Sequence, residues 1–122
     1  MPYRDLQNVK QVEALLNHEV RKVIMLYSNQ CGYCRASLPV FQTLGNRATK
    51  WIYVSIELST IVLSELPWIE QIFEKYGSGG VPFFIILDDI NTLVKTFSGV
   101  MFDMNTDDPN TRLTKMCQTF KR

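Results

Sequence analysis

The spacing of hydrophobic and polar positions changes several times along the chain, and each change marks an element. Over residues 5–18, Leu6, Val9, Val12 and Leu16 recur at helical spacing with polar residues between them, which predicts an amphipathic helix. KVIMLY at 22–27 is a short apolar run rich in branched residues, the pattern of a buried strand. The polar loop Ser28–Gln30 leads into Cys31-Gly32-Tyr33-Cys34. Residues 35–47 predict a helix that ends near Gly45-Asn46, with Leu38, Phe41 and Leu44 on its apolar face. Pro39 lies inside that helix and should kink it, since proline has no N–H and its ring meets the preceding turn.

WIYVSIEL at 51–58 alternates and is rich in β-formers, so it predicts a strand. Residues 64–76 predict a helix capped by Ser64, with Ile69, Ile72, Phe73 and Tyr76 on one face, and Gly77-Ser78-Gly79-Gly80 stops it. Val81-Pro82 opens onto the buried run FFIIL, residues 88–91 turn, and LVKTFSG returns as a partner strand. A last helix starts near Asp107 or Asp108 with Pro109 at its first position. Leu113, Met116, Cys117 and Phe120 form its inner face, and the acidic start and the Lys121-Arg122 end suit the helix dipole. The predicted order is α-β-α-β-α-β-β-α, without repeat or linker. One mixed sheet with helices on both faces, in a single domain over 1–122, is the natural architecture.

Composition narrows the class. With 122 residues, 46% hydrophobic and 20% charged, the chain is globular and long enough to bury a core without staples. Thirteen basic residues against twelve acidic ones give a net charge of +1, no electrostatic footprint for nucleic acid. The longest apolar runs, Val23–Tyr27 and Val81–Leu87, fall far short of the roughly 20 residues of a spanning helix. The polar stretch Met1–Val20 has no apolar core of a signal peptide, so the default expectation is a cytoplasmic protein, unless a leader was removed.

The candidate chemistry lies in the cysteines. Three are too few for a disulfide framework, and two of them, Cys31 and Cys34, form a C-x-x-C. A strand-loop-CxxC-helix arrangement sets the first cysteine at a helix N-terminus, where free N–H groups and the dipole favour a thiolate. Cysteines so placed titrate at about 3.5–7.5 rather than about 8.5. Cys31 is then the expected nucleophile, and Cys34, one turn on and facing inward, the resolving thiol. Half a zinc site is the competing reading. It needs two more ligands, and only Cys117 and His18 are available, both at predicted helical positions. Cys117 on an apolar stripe reads as a small core residue, and His18 as a surface residue ending the first helix.

CGYC after a buried strand, Pro39 five residues past the second cysteine, and Gly80-Val81-Pro82 before a strand together resemble the thioredoxin family. Lys75-Tyr76-Gly77 and Gly99 add to the resemblance, which covers roughly residues 5–122. It implies a thioredoxin-like three-layer α/β/α sandwich with a central mixed sheet. It implies a cis peptide before Pro82, packed beside the CxxC with the Val81 backbone turned toward an extended substrate. The implied groove has Gln30, Gly32 and Tyr33 on one side, with Ile56, Gly80, Val81, Ser98, Gly99 and Val100 on the other.

The chain also departs from that family. Met25 stands where thioredoxin has a buried Asp, Tyr27 and Gln30 replace its flanking tryptophans, and Leu58–Ile72 is about seven residues longer. The added apolar residues of that segment enlarge the core or form a partner surface. The Gly-Tyr dipeptide resembles that of bacterial disulfide isomerases and the Pro-Tyr of glutaredoxins. Family potentials span about −270 to −120 mV, so the dipeptide bears on the direction of electron flow.

The resemblance implies a thiol-disulfide oxidoreductase acting on protein disulfides through a Cys31–Cys34 dithiol/disulfide cycle, with reduction the favoured direction. Its implied partners are disulfide-containing proteins and a reductase or other thiol electron donor. A monomer without cofactor, metal or membrane insertion is expected. The alternatives are a redox-silent binding or adaptor module on the same fold, and an isomerase or oxidase in an oxidising compartment.

Overall fold

The computed structural model describes residues 2–121. Among the described residues five strands and four α-helices follow in the order β1 (Arg4–Leu6), α1 (Val9–Leu15), β2 (Lys22–Tyr27), α2 (Gly32–Arg47), β3 (Ile52–Glu57), α3 (Pro67–Tyr76), β4 (Phe83–Leu87), β5 (Leu93–Ser98) and α4 (Pro109–Lys121). The strands form one mixed sheet in the order β1-β3-β2-β4-β5. β1, β3 and β2 run parallel, and β4 and β5 are antiparallel to their neighbours.

The inner strands β2, β3 and β4 are buried along their whole length, β2 and β4 as largely apolar runs and β3 with Ser55 and Glu57 buried among its apolar residues. Alternate side chains point to opposite faces, which splits the core in two. Ile24, Leu26, Val54, Ile56, Phe83 and Ile85 pack with Val12 of α1 and Ile69 of α3. Val23, Met25, Tyr53, Phe84 and Ile86 pack with Cys34 and Phe41 of α2 and Met116 and Phe120 of α4. Each fully buried large side chain contributes about 1.5–3 kcal/mol, so both faces are needed to hold the sheet.

The predicted helix over 5–18 is two elements. Residues 4–6 pair with β3, Leu6 opposite Ile56, and the helix begins only at Val9. Asn8 is the break: its backbone is extended, and its side chain accepts the Gln11 N–H at 3.0 Å as an N-cap. The helix is over by Leu16, so His18 lies exposed in the turn beyond it rather than on a helix.

Ser64 does not cap α3. It lies in a single 3₁₀ turn, Leu63–Glu65, and Pro67 opens the helix, its missing N–H costing nothing at a first position. The longer segment 58–72 goes mostly inward: Ile61, Leu66 and Ile69 are buried, while Val62 is exposed. α4 begins at Pro109, with the Asp108 carboxylate accepting the Thr111 N–H at 2.7 Å. Met116 and Phe120 are buried as its periodicity predicts. Cys117 is not a core residue. It is half-buried in the wall of a surface cavity, one position off the buried stripe.

Candidate functional site

β2 ends at Tyr27, and the chain crosses Ser28–Gln30 to enter α2. Cys31 is the N-cap of that helix, with extended backbone, and its Sγ accepts the Cys34 N–H at 3.2 Å. Among the first N–H groups of a helix, which have no partner within it, this one is satisfied by sulfur. Both residues are thiols, Cys31 half-exposed and Cys34 fully buried. Burial and the hydrogen bond with the Cys31 sulfur push the Cys34 thiol up to about 12, and charge on Cys31 and Glu57 adds to this.

The Val81–Pro82 peptide is cis, and the Val81 carbonyl oxygen lies 3.6 Å from Cys31 Sγ, within reach of a thiol donor. Pro82 itself is buried, and its carbonyl accepts the Gly99 N–H at 2.7 Å, continuing the β4–β5 ladder past the strand ends. Gly80 and Gly99 have φ of +75° and +94°, backbone conformations that favour glycine although the space around both is open. The Val81 N–H has no partner among the described residues.

Of the residues singled out from the sequence, the structure brings together Cys31, Cys34, Val81, Pro82 and Gly99, with Gly80 beside them. Gly32 and Tyr33 lie on the exposed first turn of α2, Tyr33 with 61% of its surface accessible. Ile56 does not belong to a groove. It faces the opposite core, fully buried, because it alternates with Ser55 and Glu57 on β3.

Met25 is fully buried and pairs in register with Ser55 of β3. The polar groups of this region come from other positions. The Asp5 carboxylate accepts hydrogen bonds from Ser55 Oγ at 2.6 Å and from the Tyr27 hydroxyl at 3.1 Å. The Tyr3 and Ser55 hydroxyls are hydrogen-bonded to each other. Burial, and then the Asp5 charge, raise the Tyr27 phenol well above its ordinary range.

Glu57, opposite Tyr27 at the end of β3, is buried. Its carboxylate accepts the Asn29 N–H at 3.3 Å and the Ser59 N–H at 3.0 Å, and the Ser59 hydroxyl also donates to it. Burial pushes this carboxyl up, but the hydrogen bonds from Ser59, Asn29 and Leu58 outweigh it and hold the group below its ordinary value. The sequence reading missed Glu57. A lone acid closing the otherwise uncharged strand IYVSIE was the available signal. No group of three or more His, Cys, Asp or Glu side chains placed to hold a metal occurs among the described residues. No helix is long and apolar enough to cross a membrane among the described residues.

The fold matches solved thioredoxins along nearly its whole length. The thioredoxin of Fasciola hepatica is 21% identical, with a TM-score of 0.66, over 98% of this chain and 97% of that one. The reduced thioredoxin pre-protein of Schistosoma mansoni is 19% identical, with a TM-score of 0.66, over 99% and 97%. The Malassezia sympodialis thioredoxin is 18% identical, with a TM-score of 0.64, over 97% and 93%. No protein-family model and no curated protein matches the sequence. The chain therefore has the thioredoxin fold, a central mixed sheet between two helical layers.

Proposed function

We propose that the protein is a thiol-disulfide oxidoreductase that acts on protein disulfides through Cys31 and Cys34, with reduction its favoured direction. One observation carries this reading: a half-exposed sulfur at the N-cap of α2 accepts the N–H of a second, fully buried cysteine one turn on. That asymmetry separates an attacking from a resolving thiol. The fold shared with solved thioredoxins supports it.

In the first step the Cys31 thiolate attacks one sulfur of a substrate disulfide. A mixed disulfide forms, and the other substrate sulfur leaves as a thiolate. Cys34 then gives up its proton, which the departed thiolate takes through water. The Cys34 thiolate attacks Cys31 Sγ, forming the Cys31–Cys34 disulfide and releasing the second substrate sulfur. The substrate gains two electrons and the protein loses two; a dithiol donor restores the starting state.

Gly32, Tyr33, Gly80, Val81, Pro82 and Gly99 form the substrate surface of this reading. The unpaired Val81 N–H is placed to take a backbone carbonyl of an extended segment, strand fashion.

The test is a Cys34→Ser variant challenged with a disulfide-bonded protein such as insulin. Mixed disulfides through Cys31 should accumulate, and Cys31→Ser should trap none. A Cys34→Ser protein that forms no covalent adduct, or a wild-type protein that forms no Cys31–Cys34 disulfide in any glutathione buffer, would overturn the proposal.

A further inference from the structure

The opposite end of α2, about 24 Å along the helix from Cys31, borders a cavity of about 470 Å³ unrelated to the thiol site. That volume is in the range of small-molecule pockets. Its walls come from the end of α2, the turn into β3, and α4. Leu44, Ala48 and Trp51 supply an apolar floor, and Arg47, Lys50 and Lys121 bring three positive charges, with no Asp or Glu among the described lining residues. Among the described residues the one ion pair is Lys115–Asp107, so none of these three cations is paired with a described carboxylate. A fourth, the Arg21 guanidinium, lies 4.3 Å from the centre of the Trp51 ring.

Tyr53 gives the cavity a polar anchor. It lines the space while only 3% exposed, and its hydroxyl has no hydrogen-bond partner among the described residues. Burial raises this phenol to about 12, with Cys117, another wall residue, adding to the rise and Arg21 opposing it. It therefore stays a neutral O–H donor at physiological pH. An O–H donor in the wall beside three cations suits an anionic acceptor that enters the cavity.

We infer that this cavity binds a small organic phosphate, a phosphate monoester on an aromatic body. The phosphate meets Arg47, Lys50 and Lys121 and accepts the Tyr53 hydroxyl proton in a hydrogen bond, while the ring rests against Leu44 and the Trp51 edge. Charge without an apolar floor would suit inorganic phosphate equally well. The floor makes the ester the better ligand.

The test is a titration of the isotope-labelled wild-type protein with phenyl phosphate at low salt, followed by NMR at the Trp51 indole N–H and the Lys50 amide. Inorganic phosphate and phenol are titrated alongside. Saturable shifts are expected for phenyl phosphate, at least tenfold tighter than for either half alone. Charge reversal at two exposed positions, Lys50→Glu with Lys121→Glu, should weaken binding at least tenfold. Tyr53→Phe should weaken it roughly threefold to tenfold, as one hydrogen bond allows. Absence of saturable shifts in the millimolar range, equal affinity for inorganic phosphate, or unchanged binding by the charge-reversed protein would each overturn the inference. Cys31 and Cys34 take no part, so the outcome is independent of the redox reading.

Discussion

The Glu57 carboxylate accepts the backbone N–H of Asn29 at 3.3 Å, which ties the end of β3 to the loop that delivers Cys31. The same charge bears on Cys34, where it opposes thiolate formation. Glu57→Gln keeps the size and removes the charge, so the Cys34 thiol should titrate lower than in the wild type. The measurement is the Cβ chemical shift of labelled Cys34 across alkaline pH; an unchanged midpoint would remove Glu57 from the electrostatics of the pair. Stability should also fall, by about 1–3 kcal/mol at pH 7, because the amide mismatches the donors around it. The sign with pH follows from the depressed carboxyl. Its contribution is present above the unfolded-state value and fades as pH drops through the folded one. The two proteins should therefore converge in urea melts carried into acid.

Cys31 and Cys34 should differ sharply toward alkylating reagents. Cys34 is fully buried and its thiol is pushed up to about 12, so at pH 8 it stays protonated. Timed iodoacetamide labelling read by mass spectrometry should modify Cys31 while Cys34 stays intact until the protein is unfolded. Equal rates would contradict the asymmetry on which the attacking and resolving roles rest.

Legibility followed the strength of the local signal. β2 and β4 are continuous apolar runs bounded by polar or Gly-Pro punctuation, and their predicted ends agree with the structure. Cys31 Sγ meets the Cys34 N–H and the carbonyl of Val81, the residue before Pro82. β1 was hidden because a three-residue strand has no period of its own. It exists because Leu6 pairs opposite Ile56, a contact 50 residues away. Ile56 was misplaced into the groove, and Cys117 into the core, for a shared reason: a shift of one residue on a strand or helix exchanges wall for interior. The roles of Glu57 and Tyr53 come from side-chain packing across strands, which periodicity cannot supply.

The hydroxyl network around Asp5 holds the edge strand that the sequence concealed. Asp5 accepts from both Ser55 and Tyr27, and β1 contributes little else, since only Leu6 of its three residues is buried. Asp5→Ala leaves two hydroxyls without their acceptor and should cost about 1–3 kcal/mol in chemical denaturation. Hydrogen exchange should report the loss locally, with faster exchange at the β1 amides than at those of β2. A variant as stable as the wild type would mean that water replaces the carboxylate fully.

Phe41 tests whether the fold and the thiol chemistry separate. Its ring lies 5.5 Å from Tyr53, 5.7 Å from Phe84 and 6.0 Å from both Tyr3 and Phe120, centroid to centroid, and it is fully buried. It thus joins α2 to the sheet and to α4, on the face of α2 that also carries Cys34. Phe41→Ala opens a cavity and should cost about 3–5 kcal/mol, with Phe41→Leu costing less because more of the volume remains. The hydrogen bond between the Cys34 N–H and Cys31 Sγ lies two turns away and is local to the first turn of α2. The Leu variant should therefore show a lower denaturation midpoint and an unchanged Cys31–Cys34 redox potential in glutathione buffers. A shifted potential would mean that core packing beneath α2, rather than the first turn alone, sets the thiol chemistry.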